Sequence, residues 1–91
     1  MNKIPNSLEE AYIELDNMLI KEDKGYIVEC GALSVHHSLG RWIRNNWGLW
    51  EETPNTLKSI FLEKNITHPD DMSNYIIKSY IEHLKNESKS N

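Results

Sequence analysis

The sequence has a single cysteine, Cys30, so it cannot form an intramolecular disulfide, and this favours a reducing compartment such as the cytoplasm. It also lacks any apolar run approaching the roughly 20 residues that span a bilayer. The first six residues carry one lysine and no hydrophobic stretch follows them, so we expect no secretory signal. These absences predict a cytoplasmic protein without membrane attachment.

Aromatic residues are scarce, at 9% of the 91 residues, but three of them are tryptophans. Hydrophobic residues make up 38% of the chain and charged residues 26%. This is enough apolar material for one small core and too much for a disordered chain. We therefore expect a single helical domain over residues 1–91, with 1–6 and 86–91 frayed because short polar ends gain little from folding.

Acidic residues are absent from the centre of the chain, although the net charge is −4. Residues 1–30 carry a net charge of −4 and residues 51–91 carry −2, whereas residues 31–50 contain two arginines and all three tryptophans. An acidic chain repels phosphate backbones at long range. General nucleic-acid binding is therefore disfavoured, and the centre is the exceptional segment.

The first predicted helix begins at a capping box formed by Ser7 and Glu10. We expect it to end at Gly25, a residue that readily adopts the left-handed conformation. Its apolar residues recur at helical spacing; they are Leu8, Ala11, Tyr12, Leu15, Met18 and Leu19. Residues 26–32 are then interpreted as an extended connector or a short helical turn, because no second strand is evident.

The second predicted helix runs from Leu33 to Trp47. Gly40 lies inside it at a cost of about 1 kcal/mol relative to alanine, which indicates that another element crosses closely there. Gly48 fits a left-handed stop, and we expect Leu49 to fold back onto the last turn. Trp50 is then expected to close the bottom of the core.

A third, short helix is predicted to open at Thr53 and Pro54, an N-cap followed by a first-turn proline, and to end at Asn65. A fourth helix is predicted to begin at Pro69, with His68 or Thr67 as its cap. Its expected inner face comprises Met72, Tyr75, Ile76, Tyr80 and Leu84. The predicted fold is all-α, a compact single-domain four-helix bundle with a short third helix.

The second helix combines large aromatic side chains with hydrogen-bonding groups. If its tryptophans are buried, at least one of His36, Arg44 and Asn45 must be partly buried and needs partners. We predict that Arg44 bonds to Asp70 or Asp71 and so pins the second helix to the start of the fourth. These residues form either an internal clamp, which we favour, or a pocket for an anionic or amide-bearing ligand. The full candidate cluster is His36, Arg41, Arg44, Asn45, His68, Asp70, Asp71 and Ser73.

Two sequence blocks stand out: H-x-x-L-G-x-W-I-R-N-x-W-G-L-W, from His36 to Trp50, and H-P-D-D-x-S, from His68 to Ser73. Together they resemble the signature of a family of small bacterial proteins known only as a domain of unknown function. The sequence departs from that family at His37, where an aromatic residue is more usual, and at Asn65, where glycine is. The resemblance covers most of the chain and implies a shared architecture, but it implies no activity.

The sequence lacks the recognised motifs of zinc sites, catalytic nucleophiles and phosphate loops. Two histidines at i and i+4, C-x-x-C, G-x-S-x-G and the glycine-rich phosphate loops are all missing. The potential ligands considered are His36, His37, His68, His83, Cys30, Asp70 and Asp71. We therefore expect no metal, no cofactor and no enzymatic activity.

A small acidic helical domain without catalytic equipment is typical of an interaction partner. We expect a non-catalytic protein-binding module, most concretely an immunity-type or inhibitor protein that blocks a toxin or defence effector. Its acidic surface suits a basic cleft; it comprises Glu9, Glu14, Asp16, Glu22, Asp23, Glu51 and Glu52. The alternative is a nucleic-acid-binding protein that uses the segment 41–46. The partner, the binding face and the oligomeric state are left open.

Overall fold

The computed structural model describes the backbone of residues 4–89 and the side chains of residues 4–87. The α-helices are α1 (Leu8–Met18), α2 (Lys21–Cys30), α3 (Arg41–Asn46), α4 (Thr56–Glu63) and α5 (Pro69–Lys89). A 3-10 helix (Ala32–Val35) and a π-helix (His36–Gly40) lead directly into α3. The all-α prediction is confirmed, since residues 4–89 contain no strand, but there are five α-helices where four were expected.

The predicted ends of the chain are only partly described. Helix α5 continues to Lys89, so residues 86–89, which we expected to fray, are helical. At the other end, Pro5 is buried. The remainder of the predicted frayed ends, residues 1–3 and 90–91, lies outside the described residues.

The first predicted helix is two helices. Ser7 caps α1 by accepting a hydrogen bond from the Glu10 amide (3.1 Å), and the Glu10 carboxylate accepts from the Asn6 amide (3.0 Å). Helix α1 ends at Met18, the next two residues are extended, and α2 passes through Gly25 and ends at Cys30. The predicted stop at Gly25 is wrong. The break lets α1 and α2 each pack against α5, and such packing outweighs local helix propensity.

The second predicted helix is present but changes its winding along its length, from 3-10 to π to α. Gly48 has φ +70°, as expected for a stop, and the buried Leu49 donates its amide to the Arg44 carbonyl (3.3 Å). Both predictions at this end are confirmed. The prediction for Trp50 is wrong: its side chain is 54% exposed, with its ring centroid 6.3 Å from that of His68.

Asn55, rather than Thr53, caps the short helix α4. Its side chain accepts a hydrogen bond from the Lys58 amide (2.8 Å) and donates one to the Trp47 carbonyl (3.0 Å), which ties α4 to the end of α3. The Asn55 side chain bonds both to the first turn of α4 and to the end of α3. Helix α4 therefore begins at Thr56, two residues later than Pro54 predicted. Asn65 adopts the left-handed conformation (φ 63°), as predicted.

Helix α5 is the centre of the fold. It packs against α1, α2, α3, the 3-10 helix and the π-helix. Three of the five residues predicted for its inner face are buried, while Tyr75 and Leu84 are partly buried. The buried residues of α5 are Pro69, Met72, Ser73, Ile76, Ile77, Tyr80 and Ile81. No helix in the described range 4–89 is long and apolar enough to cross a membrane.

Candidate functional site

The Arg44 side chain lies inside the protein, 6% exposed, at the junction of α3, α5 and the π-helix. Its Nε lies 3.2 Å from Oδ1 of Asp70, and Nη1 donates to Oγ of Ser73 at 2.9 Å. Nη2 donates to the His36 carbonyl at 3.3 Å. The predicted ion pair is therefore present, with Asp70 as the partner. We call His36, Arg44, Asp70 and Ser73 the arginine cluster.

Ser73 joins the two sides of this cluster. Its buried hydroxyl accepts from Arg44 and donates to the Asp70 carbonyl at 3.1 Å, so both hydrogen-bonding functions of the hydroxyl are used. Because Asp70 and Ser73 lie in the first turns of α5, one guanidinium fixes α3 against the start of that helix. The contacts account for all three nitrogens of the guanidinium. This supports the clamp interpretation over a pocket that grips a ligand.

The π-helix and Gly40 make room for the guanidinium. The wider turn of a π-helix is frequently found at functional sites, and here its first residue, His36, accepts from Arg44. Gly40 is buried, and a Cβ there would lie 3.1 Å from Arg44 Nη1 and 3.6 Å from Ser73 Oγ. The predicted close approach at Gly40 is confirmed.

Two alanine substitutions should have opposite effects on stability. Gly25→Ala should raise the free energy of unfolding by about 0.5–1 kcal/mol, because Gly25 is exposed in the interior of α2 and a Cβ added there would meet nothing within 4 Å. Gly40→Ala should lower it by about 1 kcal/mol, because the new methyl group crowds Arg44. Urea unfolding measures both. Equal stabilisation by the two substitutions would show that the guanidinium is not held in place.

Two histidines approach Asp70 from different sides. His36 Nε2 lies 4.0 Å from Asp70 Oδ2, and His68 Nδ1 lies 3.9 Å from the same oxygen. His68 Nδ1 accepts a hydrogen bond from the Asp70 amide at 3.1 Å. His68 is therefore the cap of α5. Within the described residues, the buried Nδ1 of His36 makes no hydrogen bond.

The structure brings five of the eight predicted cluster residues together. His36, Asp70 and Ser73 contact the Arg44 guanidinium, and His68 lies next to Asp70. Three others do not join them: the side chains of Arg41, Asn45 and Asp71 are exposed. Arg44 is buried and Arg41 is exposed because Arg44, three residues before Trp47, shares a helix face with that buried side chain.

A profile described as a domain of unknown function, DUF6794, matches residues 4–84 of the chain. The chain belongs to the DUF6794 family. This confirms the resemblance to a family of unknown function, whose description names no activity. Searches of curated proteins and of solved structures gave no match.

A second polar cluster joins α1 to α5 in the DUF6794 chain, and the sequence did not indicate it. Tyr80 donates its hydroxyl to Asp16 Oδ1 at 2.6 Å, and Lys24 Nζ lies 3.5 Å from the same oxygen. Burial, reinforced by the bond to Asp16, raises the pKa of Tyr80 far above its usual range, so the phenol stays protonated as a donor. Next to it, His83 stacks on Tyr12 with ring centroids 4.8 Å apart.

The predicted acidic surface of the DUF6794 chain is only partly exposed. Glu14 and Asp16 are half-buried, and Asp16 is engaged by Tyr80. The exposed members are Glu9, Glu22, Asp23, Glu51 and Glu52. Helix α2 contributes two of these acidic residues, Glu22 and Asp23, in its first turn, where Lys21 and Lys24 flank them.

A groove lies beside this acidic turn, between α2 and the 3-10 and π-helices. Its volume is about 230 Å³, and the residues that line it include Leu19, Asp23, Tyr26, Ile27, Val35 and Leu39. Tyr26 is exposed, and Leu33 in the neighbouring 3-10 helix is 74% exposed. The groove of the DUF6794 chain is therefore lined by both apolar side chains and a carboxylate.

Proposed function

We propose that the DUF6794 chain is a non-catalytic protein-binding module of the immunity or inhibitor type, which covers the functional surface of a toxin or defence effector. The observation that carries the proposal is the groove beside α2, where apolar side chains and Asp23 face the same space. This combination suits a basic, amphipathic segment of a partner protein. An apolar anchor fills the groove, and a lysine or arginine of the partner pairs with Asp23.

Exposed apolar groups near the groove support this function. Leu33 and Tyr26 are large side chains that folding leaves in water. Isolated exposed apolar residues are ordinary, but apolar surface rimmed by charge marks interaction sites. Glu22 and Asp23 raise the rate of encounter with a basic surface and select against acidic partners. The exposed free thiol of Cys30, at the end of α2, accords with a role in the cytoplasm.

The burial of Arg44 weighs against nucleic acid as the partner. The segment 41–46 contains two cations, and the structure buries one of them in the arginine cluster. Arg41 is the exposed cation of α3. A single cation gives little of the phosphate neutralisation on which nucleic-acid affinity depends.

The proposal can be tested by affinity purification of partners from extracts of the native host. The bait is the tagged wild-type chain or one of two charge-reversal variants. Wild type should recover one protein in a stoichiometric amount. Asp23→Lys should lose it, because a cation then faces the partner's basic segment. Glu63→Lys, at an exposed position at the end of α4, should retain it. The purified partner's activity, measured with and without the chain, then tests inhibition.

Three outcomes would contradict the proposal. Recovery of nucleic acid alone, with retention that falls steeply with salt, would favour the segment 41–46 as the binding element. Equal recovery of the protein by wild type and Asp23→Lys would exclude the groove. A partner whose activity is unaffected by saturating amounts of the chain would exclude the inhibitor role.

A further inference from the structure

The geometry points to a binding site for a divalent transition-metal ion of the Zn²⁺ class, formed by Asp16 of α1 with His83 and Glu87 of α5. One ligand atom from each residue lies within 4.8 Å of the other two. A carboxylate, an imidazole and a second carboxylate are a donor set that zinc accepts. This site is separate from both the groove and the arginine cluster, so it is independent of the proposed function.

Two of the ligands are already at the separation that a metal requires. His83 and Glu87 are one helical turn apart, and His83 Nε2 lies 3.3 Å from Glu87 Oε1. Two ligands bound to zinc at about 2.0–2.2 Å in tetrahedral geometry are themselves about 3.3–3.5 Å apart. Asp16 approaches from the neighbouring helix and supplies the third ligand. The three ligand atoms lie within 4.8 Å of one another, so the Asp16 oxygen must move closer to the other two when an ion binds.

The residues around these ligands hold them in position. The Tyr12 ring stacks on the His83 imidazole, with an angle of 22° between the planes. Tyr80 donates to Asp16 Oδ1 and so restricts the orientation of that carboxylate. Hydrogen bonds of this kind to ligating carboxylates are a regular feature of metal sites. The site thus has oriented ligands and not merely charged ones.

The charge and the donor types select the kind of ion. Asp16 and Glu87 outweigh Lys24, which lies 3.5 Å from Asp16 Oδ1, so the site attracts cations. The Lys24 pair is partly exposed, and pairs of that kind are weak competitors. The imidazole nitrogen favours zinc over Mg²⁺ and Ca²⁺, which prefer oxygen ligands. With three protein ligands, water completes the tetrahedron.

The test is calorimetric titration of the full chain with zinc chloride. Wild type should bind one Zn²⁺ per chain, and millimolar Mg²⁺ should not displace it. Glu87→Gln and Asp16→Asn should each weaken binding at least about tenfold. Asn can still accept the Tyr80 hydrogen bond, and Glu87 is exposed near the end of α5, so both variants are expected to fold. The control is His37→Ala, at an exposed histidine outside the site, which should bind like wild type.

Thermal unfolding distinguishes this site from a surface His–Glu pair. Zinc should raise the melting temperature of wild type, because the ion joins α1 to α5, and it should not raise that of Asp16→Asn. Unchanged zinc affinity in Asp16→Asn would overturn the proposal, since the ion would then be held by α5 alone. Failure of wild type to bind zinc stoichiometrically would overturn it as well.

Discussion

Replacement of Arg44 by alanine should lower the free energy of unfolding by about 3–5 kcal/mol. The substitution removes the guanidinium that contacts Asp70, Ser73 and the His36 carbonyl, and it leaves a cavity between α3 and α5. The buried Ser73 hydroxyl also loses its donor, which adds to the loss. Urea unfolding followed by circular dichroism measures the change.

Arg41→Ala is the matched control, because Arg41 is three residues away on the same helix but exposed. Its stability should stay within about 0.5 kcal/mol of wild type. Arg44→Lys should be intermediate, because an ammonium cannot reproduce the planar fork of three contacts. An Arg44→Ala variant that unfolds like wild type but no longer binds the partner would make Arg44 a binding residue and end the clamp interpretation.

Replacement of Trp47 by alanine should cost about 3–5 kcal/mol, the range for deleting a large buried aromatic side chain. Trp47 is 1% exposed and packs edge-to-face on Trp42, with ring centroids 5.9 Å apart. The loss combines the apolar area returned to water with the cavity left between α3 and its neighbours. Chemical denaturation, followed by circular dichroism so that the lost fluorophore does not matter, measures it.

Trp50→Ala should change stability by less than about 0.5–1 kcal/mol, because its side chain is more than half exposed. Acrylamide should also quench Trp50 in the native protein much more than Trp47. Comparable destabilisation by the two substitutions would contradict the fold at the end of α3. Comparison of the Trp47→Ala and Trp50→Ala variants is informative because both tryptophans were expected to contribute to the core.

Features set by local chemistry were predictable from the sequence. Gly48 and Asn65 were expected to be left-handed and are, because few other residues tolerate that conformation. Ser7 was expected to cap the first helix, and its hydroxyl does. The Arg44–Asp70 pair was also predictable. A helix that buries tryptophan also buries neighbouring polar groups, which need partners. Asp70 and Asp71 follow His-Pro at the start of a predicted helix, which made them the candidates.

Features set by packing were not predictable. Nothing in the local sequence marks the break after Met18, which arises because α1 and α2 each bury a face on α5. The exposure of Trp50 depends on the turn that follows Gly48. Tyr80 and Asp16 are 64 residues apart, so no spacing indicated their bond. The nearest available signal was the pair His83 and Glu87 at i and i+4, a spacing that brings a histidine and a carboxylate together on one helix face.

The central position of α5 has a consequence for the synthesis of the chain. Helices α1, α2 and α3 all bury their apolar faces against residues that the ribosome adds later, from Met72 onward. Until those residues emerge, Ala11, Leu15 and Ile27 lack the surface of α5, and the nascent chain exposes apolar patches of the kind that chaperones bind. The native fold therefore forms only after α5 has been translated.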